Sequence, residues 1–430
     1  MPRRRSLAAT CERFYRTALV QLGAERLVRQ ALLARASEFA QEPLRVLAMG
    51  KAAVPMTRGA VAVLGERAGD LLIVAPEVTH EVPWAPPGAR FLQGGHPKPT
   101  AGSLDAGLAV EAWASAGDGR PTLVLLSGGA SALVVAPARG VTAEEKIQAV
   151  SAVMASGATI QDMNAVRKHL SRLKGGQLML RLGGARADVL VLSDVPGDDL
   201  SVIASGPFAG DPSTFAEALA HLEAAGPRAP PGARAFLLAG ARGEHPETPK
   251  PGDPRLASAR HQVLAGPVDL ARAVATAARA AGFEAGADST PLVGSVEDAA
   301  RHLGALAMAR GGRGPWLWAM GGEPTIALPS GATAPDGGRA QHLALLVARA
   351  IAGLDACVLA AGSDGRDGPT QQAGAVVDGL TSADARAAGV DLDEALAQAR
   401  SGPAAVACGA AIERFDSPTH LADVMVVAVE

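Results

Sequence analysis

Between Ala360 and Gly374 the chain reads AAGSDGRDGPTQQAG, which sets Asp364, Arg366 and Asp367 among Gly362, Gly365 and Gly368. Carboxylates beside bare backbone suit a phosphate held through a divalent cation: the acids hold the metal and the N–H groups reach the oxygens. An Asp-Gly pair also forms ordinary turns, so the loop alone leaves both explanations open. A second loop, WAMGGEPTIAL, brings Glu323 behind a glycine pair, and GGRAQHLALL puts Arg339 at the start of a helical run. A guanidinium there adds a planar fork of donors to the positive end of the helix dipole.

The first half of the chain carries matching cationic and small-residue stretches. LAMGKAAVPM places Gly50 and Lys51 where an apolar strand gives way to a helix, which is a site for anions, although GxxxxGK[ST] is absent and such turns are often structural. LLSGGASALV repeats the arrangement with Ser127, Gly128, Gly129 and Ser131, small enough for backbone to approach a ligand or for a helix to pack closely on a strand. In DMNAVRKHLSRLKGG, Met163, Val166, Leu170 and Leu173 form an apolar helical stripe. Asn164, Arg167, Lys168 and Ser171 share the other face, as anion ligands or as a solvated basic surface, with Gly175 and Gly176 closing the helix. LSDVPGDDLSVIASGP sets Asp194 at a strand end, with Asp198 and Asp199 in the loop behind it and Ser205-Gly206-Pro207 as a turn. Acids at strand C-terminal ends lie where doubly wound sheets bind ligands. Strand-end cations, small-residue loops and two acidic loops together are the requirements of phosphoryl transfer.

The elements that position these residues alternate. Apolar runs at 45–50, 70–75, 122–129 and 188–195 predict strands buried on both faces, so the first half reads as an α/β domain with a parallel sheet. Prolines and glycines crowd residues 226–255, and a domain boundary is expected there. Beyond it, runs at 261–266, 315–328, 355–365 and 424–430 predict a second α/β domain. The resulting division is 1–240, a linker at 241–258, and 259–430. The N-terminal segment, despite its three arginines, reads as an amphipathic helix through Phe14, Leu19 and Leu22 rather than a leader.

A chain of 430 residues fits two domains. A net charge of -3 gives no attraction to nucleic acid, and no apolar run is long enough to span a bilayer. Cys11, Cys357 and Cys408 have no paired spacing for a disulfide framework or zinc, so a cytoplasmic setting is expected.

In order along the chain, MGKAA, GGHPKPTAGS, LLSGGASAL, NAVRKHLSRLKGG, LSDVPGDDLSVIASGPFAGDPSTF, GGEPTIAL and SDGRDGPTQQAGAVVDG resemble the glycerate 2-kinase family. The resemblance runs nearly the length of the chain. It implies a larger N-terminal three-layer α/β domain with a mostly parallel sheet, a smaller C-terminal MOFRL domain, and an active site in the cleft between domains. It implies ATP-dependent phosphorylation of D-glycerate on the 2-hydroxyl with magnesium. The residues it implies for catalysis or substrate binding are Lys51, Asp194, Glu323 and Arg339, with Asp364 and Asp367 facing magnesium and phosphate. The chain departs from the family pattern at Ala130 in SGGAS, at Ala340 and His342 in GGRAQH, and in RFDSPTHLADV near the C-terminus. Two other readings are a hydroxypyruvate reductase, against which no GxGxxG follows a strand, and a non-catalytic sugar-acid sensor, against which Lys51 and Asp194 are retained.

Overall fold

The computed structural model describes residues 2–39, 42–77, 84–310, 314–327, 336–417 and 419–430; Leu328, the last residue of GGEPTIAL, lies outside them. The chain forms two compact bodies, one of residues 27–192 with 198–264, the other of residues 1–26, 193–197 and 265–430.

The first body is built on a six-stranded sheet of β1 (Leu44–Met49), β2 (Ala68–Pro76), β3 (Arg90–Gly94), β4 (Thr122–Ser127), β5 (Ala187–Leu192) and β6 (Ala259–Ala265). Their order is β3-β2-β1-β4-β5-β6, with β3/β2, β2/β1, β1/β4 and β4/β5 parallel. Every residue of β1, β4 and β5 is buried, as strands covered on both faces require. The order reverses between β1 and β4, because the chain winds outward from β1 through β2 to β3 and then returns to β4 on the other side. A separate helical core joins Val153, Val166, Leu170, Phe215, Leu222 and Leu237. Its helices start on capping boxes in which Thr142, Thr159 and Thr214 exchange hydrogen bonds with Glu145, Asp162 and Glu217.

The second body also holds six strands: β7 (Glu284–Ala287), β8 (Trp316–Gly322), β9 (Ala356–Gly362), β10 (Gln372–Asp378), β11 (Ala411–Glu413) and β12 (Asp423–Val429). They are ordered β11-β10-β9-β12-β8-β7, and only β7/β8 pair in parallel. Apolar strand runs read alike in either direction, so this antiparallel pattern was not visible in the sequence. The helix Arg339–Ala350 covers the sheet with Leu343 and Val347, which share a core with Trp316, Met320, Val358, Val377 and Met425.

Three placements differ from the sequence reading. HQVLAG, expected in the second domain, forms β6 at the edge of the first sheet, where the Ala187 N–H donates to Ser258 O. Residues 241–258, expected as a linker, fold into the first body, with the Asp211 N–H donating to Pro249 O at 2.7 Å. The helix Pro2–Gln21 belongs to the second body. Its Phe14 and Leu19 are buried, and Tyr15 donates its hydroxyl to Gly362 O at 2.6 Å, at the end of β9. No described helix is long and apolar enough to cross a membrane.

Candidate active site

At the reversal of the first sheet, two loops lock together. The chain leaves β1 through Gly50, whose N–H donates to Val74 O at 3.1 Å, while the next two amides turn toward the β4 loop. The Lys51 N–H donates to Gly128 O at 2.9 Å, and the Ala52 N–H donates to Ser127 Oγ at 3.0 Å. Ser127 therefore caps the helix Ala53–Leu64, whose own N-cap, Ala52, has no side chain to do so. Gly50 is required here: φ is 126°, and a Cβ would sit 2.2 Å from Ser127 Oγ. A Cβ on Gly129 would come within 3.0 Å of both Lys51 Cγ and His96 Cδ2, so the lysine and the histidine flank that glycine's bare face. Gly50, Lys51, Ser127, Gly128 and Gly129 thus meet where an open α/β sheet binds ligands. His96 joins them. Its position between a glycine pair and two prolines in GGHPKP was the available signal, and spacing alone did not single it out.

Ser131 continues this wall into a hydroxyl chain. Its Oγ lies 2.7 Å from Ser205 Oγ, and Ser205 donates to Asn164 Oδ1 at 2.9 Å. Ala204, Ser205 and Gly206 all hold positive φ, at 53°, 61° and 62°. Two successive non-glycine residues in that region carry backbone strain of the kind that gathers at functional sites. Asp198 and Asp199 act as loop formers: the first has φ 55°, and the second accepts the Ser201 N–H.

The basic helix is shorter than its apolar stripe predicts. It runs Ile160–His169, and Leu170 and Leu173 are buried beyond its end. There Lys146 Nζ donates to Arg167 O and Leu170 O, and Ser171 bridges to Pro137. The face read as a solvated alternative is interior, since Asn164 and Lys168 are 2% and 3% exposed. Lys168 is committed to Asp211 at 3.1 Å, and Asp211 also accepts from Ser213 and Thr248, so this lysine, expected as an anion ligand, is half of a buried ion pair. Arg167 is different: burial holds its pKa below the usual range, and among the described residues it faces no carboxylate.

In the second body Arg339 sits at the first turn of its helix, as expected, and is held by acids on two sides. Its Nε and Nη2 meet Asp423 at 2.6 and 3.2 Å, and its Nη1 meets Glu323 at 2.7 Å. Burial opposes its charge, but Asp423, Glu323 and Asp367 outweigh that and raise its pKa. Asp423, on β12, was not singled out from the sequence. Asp367, expected to face magnesium, turns inward instead. It accepts the Ala340 and Gln341 N–H groups at 3.1 and 2.7 Å, capping the helix that Arg339 begins. Burial and then Asp423 push its pKa up to about 7. A carboxyl bound to two amides and drawn toward neutrality does not fit a metal ligand. Asp364 stays half-buried on the loop and accepts the Arg366 N–H. No cluster of three metal-ligating side chains occurs among the described residues. Kinase magnesium commonly rides on substrate phosphates with one or two protein carboxylates, a demand that Asp364 can meet. Asp194 lies two residues beyond β5, also half-buried.

A parallel sheet with two interlocked small-residue loops and a lysine at its reversal, and a second α/β body carrying an acid-held arginine, are features that suit phosphoryl transfer. Residues 10–238 match a domain of unknown function (DUF4147), and residues 316–423 match the MOFRL family. The chain is 33% identical to a protein named glycerate 2-kinase from Pyrococcus horikoshii, with 87% of this chain and 84% of the relative covered. It is 35% identical to a protein named putative hydroxypyruvate reductase from Agrobacterium vitis, with 83% and 81% covered. A crystal structure of glycerate kinase from Thermotoga maritima superposes with a TM-score of 0.85 at 30% identity, covering 99% of this chain and all of that one. The chain belongs to the glycerate 2-kinase family.

Proposed function

We propose that this protein is a kinase that transfers the γ-phosphoryl group of ATP to the 2-hydroxyl of D-glycerate, giving 2-phosphoglycerate. The observation that carries this reading is the interlocked cradle of Gly50, Lys51, Ser127, Gly128 and Gly129 at the sheet reversal. There a lysine projects beside bare backbone at a helix start, an arrangement suited to the charge that spreads over a transferring phosphoryl group. Asp194 accepts the proton of the attacking hydroxyl. Arg339, fixed by Asp423 and Glu323, presents its guanidinium to a carboxylate or phosphate oxygen. Ser131, Asn164 and Arg167 line the anion-binding wall of the first body. Asp364 would hold a magnesium ion, which would supply neutralisation of the phosphate charge. The partner is a small hydroxy acid, in keeping with a cytoplasmic enzyme.

The turn after β1 reads Gly-Lys rather than GxGxxG, so it does not carry the glycine pattern by which a nicotinamide site approaches its pyrophosphate. The deciding experiment is a coupled assay with ATP and D-glycerate, with the product identified by phosphorus NMR, run beside a hydride-transfer assay with hydroxypyruvate. A 2-phosphoglycerate signal is expected. Hydride transfer without phosphorylation, or a 3-phosphate product, overturns the proposal.

A further inference from the structure

The loop that closes the basic helix holds Lys174, which lies within NAVRKHLSRLKGG but whose spacing gave it no role. Lys174 is 4% exposed, and among the described residues its ammonium meets only main-chain oxygens, Ser131 O at 3.0 Å and Val134 O at 3.4 Å. Around it the charges are one-sided. The helix Ile160–His169 contributes Arg167, with no acid partner among the described residues, together with Lys168 and His169, which Asp211 and Glu247 offset. The helix Ala143–Ala155 contributes Lys146, also 4% exposed and, among the described residues, bound only to carbonyls. The chain before Lys174 contributes Arg172, which Glu111 balances at 2.7 Å. Half-buried Arg167 and buried Lys146 and Lys174 therefore gather without a counter-charge among the described residues. Lys174 also bonds the carbonyl of Ser131, whose hydroxyl meets the positive-φ Ser205 that in turn bonds Asn164.

We propose that Lys174 and Arg167 form an oxyanion subsite that binds a carboxylate or phosphoryl group of the reacting molecules beside Ser131, and that Lys174 takes up one proton as the anion binds. Uncompensated buried cations are costly, and an anion is the group that relieves them. Lys146 is set apart by its place: its amine bonds Arg167 O and Leu170 O at the end of the basic helix, whereas that of Lys174 bonds Ser131 itself. Burial and the neighbouring Arg167 lower the pKa of Lys174 to about 7, so above neutrality the ligand-free amine is largely uncharged. An anion within contact distance favours the ammonium, and the proton comes from solvent. This inference rests on the kinase reading for the identity of the ligand.

The test is isothermal titration calorimetry of the intact protein at pH 8 in two buffers of different ionisation enthalpy, with D-glycerate, MgADP and sulfate as separate titrants. Expected is net proton uptake, approaching one per site, with sulfate and with one of the other two. Uptake with glycerate assigns the subsite to the carboxylate, and uptake with MgADP assigns it to the phosphoryl end. Lys174→Met should weaken the uptake-linked ligand by about tenfold or more, the scale of one charged hydrogen bond. Lys174→Arg, which cannot release its proton in this range, should bind while abolishing the uptake. If the wild type binds with no uptake, or if Lys174→Arg retains it, the subsite is refuted while the assay with ATP and glycerate still stands. Uptake with sulfate in a protein that does not phosphorylate glycerate would refute the kinase reading and keep the subsite.

Discussion

Arg339 opens its helix and Arg167 lies in the last turn of its own, yet their surroundings are opposite. Arg339 is clasped by Asp423 and Glu323, with Asp367 near enough to add to the field. Arg167 has Lys146 and Lys174 for neighbours and no acid among the described residues. An arginine saturated with carboxylates has its fork direction fixed before any ligand arrives. One surrounded by cations has charge to offer and no internal partner. The same side chain is thus a pre-set orienting group in one body and an open electrostatic demand in the other. The lysines of this segment repeat the contrast within a few residues: Lys168 on the basic helix has Asp211, and Lys174 in the loop after it has, among the described residues, only carbonyls.

The strongest way to break that contrast is to make Lys168 as bare as Lys174. Asp211→Ala removes the acid and strands a buried ammonium, and the expected cost is about 3–5 kcal/mol of stability. Urea unfolding measures it, and a loss under 1 kcal/mol would mean that the ion pair does not distinguish the two lysines.

Next in size is Lys51→Ala, at the cradle of the first body. It should lower kcat by about 100 to 1,000-fold, the cost of one transition-state donor, with an almost unchanged melting temperature. Near-normal kcat in the coupled assay would remove Lys51 from the mechanism.

On the acid-held side, Arg339→Lys keeps the charge and loses the bidentate grip on Asp423. We expect KM for glycerate to rise or kcat to fall, by about tenfold, with the fold intact. Kinetics matching the wild type in both Arg339→Lys and Arg339→Ala would leave Asp423 and Glu323 holding a purely structural group.

The smallest effect is that of Asp367→Asn, which weakens the cap of the same helix. We expect about 1 kcal/mol of lost stability, and no change in the magnesium concentration needed for half-maximal rate. Asp364→Asn should raise that concentration instead, and a magnesium titration separates the two. Because Asp367 is raised from the ordinary aspartate range to about 7, the folded state holds a proton that the unfolded state has lost between pH 4 and 7. Its contribution to stability therefore falls as pH rises through that window, and Asp367→Asn should flatten this part of the stability profile.

Much of the architecture was legible in the residues. The apolar runs marked β1, β2, β4, β5, β8, β9 and β12, and the glycine punctuation marked the loops that carry Lys51, Ser127 and Arg339. β3 was missed because Arg90–Gly94 is mostly half-exposed and carries no sustained apolar run. The basic helix was drawn too long, because its apolar spacing continues through Leu170 and Leu173 after the chain has turned away to meet Pro137.

The sequence by itself determined which segments bury, where strands end in turns, and that small residues, cations and acids fall at those ends, because these are properties of neighbours along the chain. Tertiary structure decided strand direction, the capture of β6 by the first sheet and of the N-terminal helix by the second body. It also decided the role of each charge. Lys168 meets an acid 43 residues away and Arg339 one 84 residues away, while Lys174 meets none among the described residues. A charged side chain has the same local signature whether it is neutralised, caps a helix or waits for a ligand; the partner that distinguishes these is brought by the fold, and the low dielectric of the interior makes that partner decide the energy.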